Sequence, residues 1–160
     1  HAFCMIDIIV TLGTEFNVSG IPTTSPITEV TLGGTKIEAN VNVAAATDKI
    51  TANSTAEAKD ITATPGEFTT PENNDKEKSC ISHFSCITVP QNVAANTFKV
   101  SLKTAGKQYE WTSANPVELK SGYRYTLELT MGNNVVLLKG GSITAKPWTE
   151  ITSDKPLETD

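Results

Sequence analysis

Tyr123-Arg124-Tyr125-Thr126-Leu127-Glu128-Leu129-Thr130-Met131 is the clearest stretch of the chain. Tyr123, Tyr125, Leu127, Leu129 and Met131 alternate with Arg124, Thr126, Glu128 and Thr130. A period of two puts one set on each side of an extended strand, so the spacing predicts a β-strand with one apolar and one polar face. Gly132-Asn133-Asn134 follows, residue types that accept the positive φ of a tight turn, and leads into the apolar run Val135-Val136-Leu137-Leu138. The same alternation opens the chain. Ala2, Cys4, Ile6, Ile8, Val10 and Leu12 form one face, and Phe3, Met5, Asp7, Ile9 and Thr11 the other. That second face is apolar enough to predict a strand covered on both sides over part of its length.

Further strands are expected at Ile27–Leu32, at Ile37–Val43 with Ile37, Ala39, Val41 and Val43 on one face, weakly at Asp60–Ala63, and at Ile81–Val89. Phe98–Lys103 and Tyr109–Trp111 read as a hairpin turning at Gly106-Lys107. A last strand runs through Ser142–Ile151, where Pro147 suits an edge. Thr is the commonest residue, 24 of 160, and Ile and Val add 23, types that favour strands over helices. Asn17–Pro26 and Thr64–Ser79 read as loops, and Gly33-Gly34-Thr35-Lys36 as a hairpin turn rather than a phosphate loop, since a strand follows and the upstream Gly is missing. The expectation is an all-β antiparallel sandwich of about seven to ten strands, one domain over residues 1–160.

Composition narrows function. The net charge is -5, from 13 Lys+Arg and 18 Asp+Glu, which argues against nucleic acid as a partner. Arg124 is the only arginine, so no arginine cluster can grip phosphate or carboxylate. No apolar run approaches the roughly 20 residues of a membrane-spanning helix. Cys80 and Cys86 lie six apart, too far to bond along an extended strand without a sharp turn, and Cys4, among Phe3, Met5 and Ile6, reads as a buried small hydrophobe; unpaired structural cysteines are expected, with one disulfide as the alternative. The histidines are His1 and His83, so neither a zinc site nor a nucleophile–base pair is expected, and no G-x-S-x-G elbow occurs. The acidic run Glu72–Lys78 fits a solvated loop better than a calcium site. No enzyme, metal or cofactor is expected; a polar pocket around His83 or Cys86 would be needed for one.

A succession of short motifs goes further. Thr88-Val89-Pro90-Gln91 precedes Phe98-Lys99-Val100-Ser101-Leu102, Gly106-Lys107-Gln108-Tyr109-Glu110-Trp111 and Leu119-Lys120-Ser121-Gly122-Tyr123-Arg124-Tyr125-Thr126-Leu127. An Asn-rich turn and Ile143–Trp148 close it. In this order the chain resembles the fimbrillin family of Bacteroidetes surface proteins, in particular the Mfa-like fimbrillins, and the His-Ala-Phe-Cys opening resembles the start of that family's C-terminal domain. The resemblance implies a transthyretin-like fold. It also implies export through the periplasm as a lipoprotein, display at the outer membrane, and assembly into pili by strand exchange. The partners it implies are other pilus subunits, an N-terminal domain of its own, and a host or bacterial surface ligand. Candidate exchange or interface residues are Val135, Val136, Leu137, Leu138, Ile143, Trp148 and Ile151. Against exchange, Thr152–Asp160 is acidic and nearly without apolar anchors, which favours these last strands as permanent parts of the sandwich. The alternative function is a carbohydrate-binding surface module, which would need Trp111, Trp148 and the tyrosines exposed in a row; their alternation favours the core instead.

Overall fold

The computed structural model describes residues 2–46, 49–132, 136–138 and 143–147. In chain order the strands are β1 (Cys4–Leu12), β2 (Glu29–Gly33), β3 (Ala39–Val41), β4 (Ile50–Ala52), β5 (Ile61–Thr62), β6 (Thr64–Thr69), β7 (Ile81–Thr88), β8 (Gln91–Val93), β9 (Lys99–Lys103), β10 (Gln108–Thr112), β11 (Val117–Leu119), β12 (Tyr123–Met131), β13 (Val136–Leu138) and β14 (Thr144–Pro147). The six-stranded sheet runs β13–β12–β1–β7–β6, with β14 also on β12; the four-stranded sheet runs β10–β9–β2–β5. Two ribbons, β11–β8 and β3–β4, complete the fold.

β1 is the centre of the larger sheet. Its inward residues Cys4, Ile6, Ile8, Val10 and Leu12 are fully buried. Ile6, Ile8, Val10 and Leu12 stand beside Tyr125, Leu127, Leu129 and Met131 of β12. On the other side Ile6 and Ile8 stand beside Cys86 and Phe84 of β7. The β1–β12 pairing is parallel, joining the first strand to one more than a hundred residues later; the other described pairings are antiparallel. The opposing sheet contributes Val30, Leu32, Val100 and Leu102, and both sheets share one core. This is the expected sandwich, except that the β1–β12 pair is parallel where an all-antiparallel fold was expected, and it has more strands than expected because three-residue strands escape any test of alternation.

Four further sequence expectations change. The outer face of β1 is half-buried rather than covered: Met5, Asp7, Ile9 and Thr11 are intermediate in exposure. Thr64–Thr69, read as loop, is strand β6 on the sheet edge, where Pro65 needs no ladder partner and the register shifts between Pro65 and Phe68. β5 and β6 are one strand that changes sheets: Ala63 is buried and donates its N–H to Val30, between the pairing of β5 with β2 and that of β6 with β7. Gly33–Lys36 does not close a hairpin, since β2 pairs with β5 and β9 while β3 pairs with β4. Gly34 instead has φ +83° and lies so close to Thr97 that a Cβ would sit 2.0 Å from its carbonyl oxygen. Finally, the alternation of Ile37, Ala39, Val41 and Val43 is real, but all four are exposed.

Candidate functional site

Three of the seven predicted residues, Val136, Leu137 and Leu138, lie on one edge of the larger sheet, and Ile143 directly precedes the strand beside them. β13 lies antiparallel on β12 through Leu129–Leu138, Thr130–Leu137 and Met131–Val136. β14 lies antiparallel on the other half of the same edge through Tyr123–Pro147, Arg124–Lys146, Tyr125–Ala145 and Thr126–Thr144. The nine residues of β12 are therefore flanked on one side by continuous β1 and on the other by two short pieces. Val136 is buried and Ile143 half-buried against the core, while Ala145 is exposed. Val135, Trp148 and Ile151 lie outside the described residues, as does the Asn133-Asn134 turn.

The two sides of β12 differ in what holds them. Beside it, β1 packs four fully buried residues, Ile6, Ile8, Val10 and Leu12, worth about 1.5–3 kcal/mol of burial each. On the outer edge Val136 supplies one such anchor among the described side chains. Main-chain pairing adds a modest net amount per bond. Each outer strand, with three or four pairs against the eight of β1, is by pairing length the shorter-held neighbour of β12, and its removal would open a ladder of N–H and C=O groups above an apolar core. Such an edge can accept a strand from another chain.

Polar contacts at the start of β12 fix its position. The Arg124 guanidinium pairs with the Asp7 carboxylate across the parallel ladder, which raises the Arg124 pKa further. The Tyr125 phenol oxygen accepts the Lys120 N–H at 2.7 Å, and the phenol's pKa is raised by burial. Gly122, at φ +76°, donates its N–H to the Phe3 carbonyl at 3.0 Å.

The sites singled out for chemistry are not brought together. His83 Nδ1 is 3.1 Å from the Glu67 carbonyl oxygen on the half-exposed outer face. Cys86 points to the opposite, buried face, and burial with nearby Asp7 pushes its thiol pKa up to about 11. Burial pushes Cys4 up to about 12 and raises Cys80 as well; all three cysteines are free, and as thiols they are poor nucleophiles. Among the described residues no group of three His, Cys, Asp or Glu side chains could hold a metal. The loop that carries Glu72–Lys78 is tied down by a residue the sequence did not flag. Asn17 is buried, and its Nδ2 donates to the carbonyls of Lys76 at 3.1 Å and Lys78 at 2.8 Å.

A second concavity, of about 980 Å³, runs between the β3–β4 and β8–β11 ribbons. Lys36, Gln91, Asn92, Glu118, Lys120 and Tyr123 line it. Gln91 and the Lys36 backbone exchange two hydrogen bonds, 2.8 and 2.9 Å, and Lys36 Nζ donates to the Ser54 carbonyl. Tyr109 and Tyr125 are buried, and Trp111 and Tyr123 are half-buried against the core. Tyr123 and Tyr125 are tilted by 36° at 6.4 Å. Among the described aromatic residues there is no exposed, coplanar row of the kind a glycan platform needs; Trp148 lies outside the described residues.

Comparison with known proteins agrees with the fold. A family model described as fimbrillin-like matches residues 1–148. A Bacteroides ovatus structure, provisionally named a cell adhesion protein, superposes with a TM-score of 0.62 at 17% identity, over 94% of this chain and 47% of its own. A Bacteroides uniformis structure with the same provisional name gives 0.61 at 15% identity, over 93% and 52%. At such identities these likenesses establish the fold, and the chain spans about half the length of the structures it matches. No curated protein sequence matches.

Proposed function

The chain belongs to the fimbrillin-like family, and from that premise we propose that it is a non-catalytic structural or adhesive part of a cell-surface pilus, joined to its neighbours by strand exchange at the outer edge of β12. One observation carries this reading: that edge is covered by two short strands, three and four pairs long, and not by one continuous strand. An incoming strand that spanned the whole edge would make a continuous ladder and gain pockets beside Leu129 and Met131. With the family come the finer expectations of a transthyretin-like fold, lipoprotein export, display at the outer membrane, and partners among other subunits and surface ligands. The rival carbohydrate-binding reading keeps the polar groove but lacks an aromatic platform among the described residues.

The test removes Asn134–Asp160 and supplies the same segment as a peptide. A folded remainder that binds the peptide supports exchange. A remainder that unfolds shows that the last strands are permanent and sinks the proposal.

A further inference from the structure

An alternation that the core does not absorb lies on the β3–β4 ribbon. Ile37, Ala39, Val41 and Val43 alternate with Glu38, Asn40 and Asn42, yet all of them are exposed, Val41 by 65% and Val43 by 83%. β3 is the outer strand of its ribbon. On one side β4 donates its Ala52 N–H to the carbonyl of buried Pro90, whereas β3 pairs with β4 alone among the described strands. Hydrogen bonding fixes which groups face the open side. The Glu38 carbonyl accepts the Asn53 N–H at 2.8 Å, and the Asn42 N–H donates to the Lys49 carbonyl at 2.7 Å, so the even-numbered residues bond toward β4. Successive residues of a strand send their main-chain groups to opposite edges, so the N–H and C=O of Ala39 and Val41 point away from β4. The usual guards of such an edge are missing: residues 37–46 contain no proline or lysine and one charge, Glu38.

We propose that the free edge of β3 pairs with the same edge of a second copy of this chain, antiparallel about a two-fold axis at Asn40. The register selects a second copy as the occupant. With the two Asn40 residues opposite each other, Ala39 stands opposite Val41 of the second copy, Ile37 opposite its Val43, and Glu38 opposite its Asn42. Apolar meets apolar, and Glu38 meets an amide, not a like charge. The outward groups of Ala39 and Val41 fall in the hydrogen-bonded pairs, each of which exchanges both N–H···O bonds. Within each copy Ala39 already stands beside Ala52, Val41 beside Ile50 and Asn40 beside Thr51. The joined sheet β4–β3–β3–β4 therefore carries Ala52, Ala39, Val41 and Ile50 in a row across one face, repeated by the symmetry, and Thr51 and Asn40 across the other. A two-stranded ribbon alone is marginal in water, and four strands with an apolar face are not. The contact is isologous and closes at two copies. No strand leaves its own sandwich, so the inference is independent of exchange at β12.

The test joins the axis covalently. The Asn40 pair is a non-hydrogen-bonded pair, with Cα atoms about 4.5 Å apart, within reach of a disulfide. Asn40→Cys is oxidised with glutathione disulfide beside Val18→Cys, an exposed control elsewhere; the native Cys4, Cys80 and Cys86 are buried. The expected result is a covalent dimer on non-reducing gels formed at least about tenfold faster by Asn40→Cys. The unmodified chain is expected to pass from monomer to dimer between about 10 μM and 1 mM in analytical ultracentrifugation, as suits a small interface. Val41→Lys, at a site already in solvent, is expected to keep the thermal melt and weaken the dimer at least about tenfold. A chain that stays monomeric over that range, with Asn40→Cys no faster than Val18→Cys, overturns the pairing. A dimer unchanged by Val41→Lys uses another surface and also overturns it, as does assembly that grows beyond two copies. None of these results bears on exchange at β12, which is tested by the peptide.

Discussion

Ile8 and Ile9 are neighbours of one type on one strand, and they should respond very differently to truncation. Ile8 is fully buried between Phe84 and Leu127 in the register, whereas Ile9 stands between His83 and Glu128 on the half-exposed face. Replacing Ile8 by Ala removes three buried carbons, about 2.4 kcal/mol of transfer at roughly 0.8 each. The unfilled space beneath the sheet brings this to about 3–4 kcal/mol, inside the range for such truncations. Ile9→Ala removes the same atoms from a site that water already reaches and leaves no enclosed cavity, so about 1 kcal/mol is expected. Against a total of about 5–15 kcal/mol the two are easily resolved by urea unfolding at constant m-value. Equal losses above about 2.5 kcal/mol would refute the reasoning. They would mean that a further layer seals the outer face of β1.

Other substitutions and conditions test separate parts of the fold. Asn17→Ala should cost about 1–3 kcal/mol by leaving the Lys76 and Lys78 carbonyls without their donor, and Asn17→Asp more, since a carboxylate would then face both oxygens; thermal melts decide. Gly34→Ala should lose more than about 1 kcal/mol, while Gly106→Ala, with open space around it, should change stability by less than about 0.5 kcal/mol. The folded thiols hold their protons to higher pH than the unfolded ones. Stability should therefore be flat below about pH 9 and fall above it, to about 11 for Cys86 and about 12 for Cys4, with Tyr125 adding in the same direction. Urea midpoints measured from pH 7 to 11 should show this slope, and Cys86→Ala should flatten it; a level wild-type profile would contradict the burial.

What the sequence made legible was the face each residue takes. Every inward residue of β1 and β12 is named by alternation alone, and the hairpin at Gly106-Lys107 by turn chemistry, with Lys103 opposite Gln108 as that turn requires. Alternation does not name a strand's neighbour. The parallel pairing of β1 with β12 depends on which apolar face seals the core, a property of the whole chain. Nor does alternation measure burial: Val41 has the period of a core strand but stands on a ribbon away from the sandwich. Pro65-Gly66 hid β6 because a breaker in a central strand is tolerated on an edge. Asn17 left no sequence signal, since its role depends on carbonyls some sixty residues away. Of the candidate exchange residues, Val136, Leu137 and Leu138 form β13 on the edge of β12 and Ile143 precedes β14; the other three lie outside the described residues.

The weak outer edge of β12 also makes a prediction that needs no mutation. Amides open to exchange at the smallest unfolding event that frees them. Freeing β1 requires moving Ile6, Ile8, Val10 and Leu12 out of the core between two long neighbours, which amounts to global unfolding. Freeing β13 breaks three pairs and lifts, among the described side chains, the Val136 anchor; freeing β14 breaks four pairs, the last at Pro147, which has no N–H to give. β1 is held by eight pairs on each side, so the difference is a few kcal/mol, and each 1.4 kcal/mol is tenfold in protection. Native-state hydrogen exchange should therefore find the amides of Val136–Leu138 and Thr144–Lys146 about 10²–10⁴ less protected than those of Ile6–Val10. An edge that opens on its own can trade its strand for another without the sandwich coming apart. Equal protection across β12's two sides would make the last strands part of one cooperative unit, and exchange at that edge would then have to carry the cost of unfolding the whole sheet.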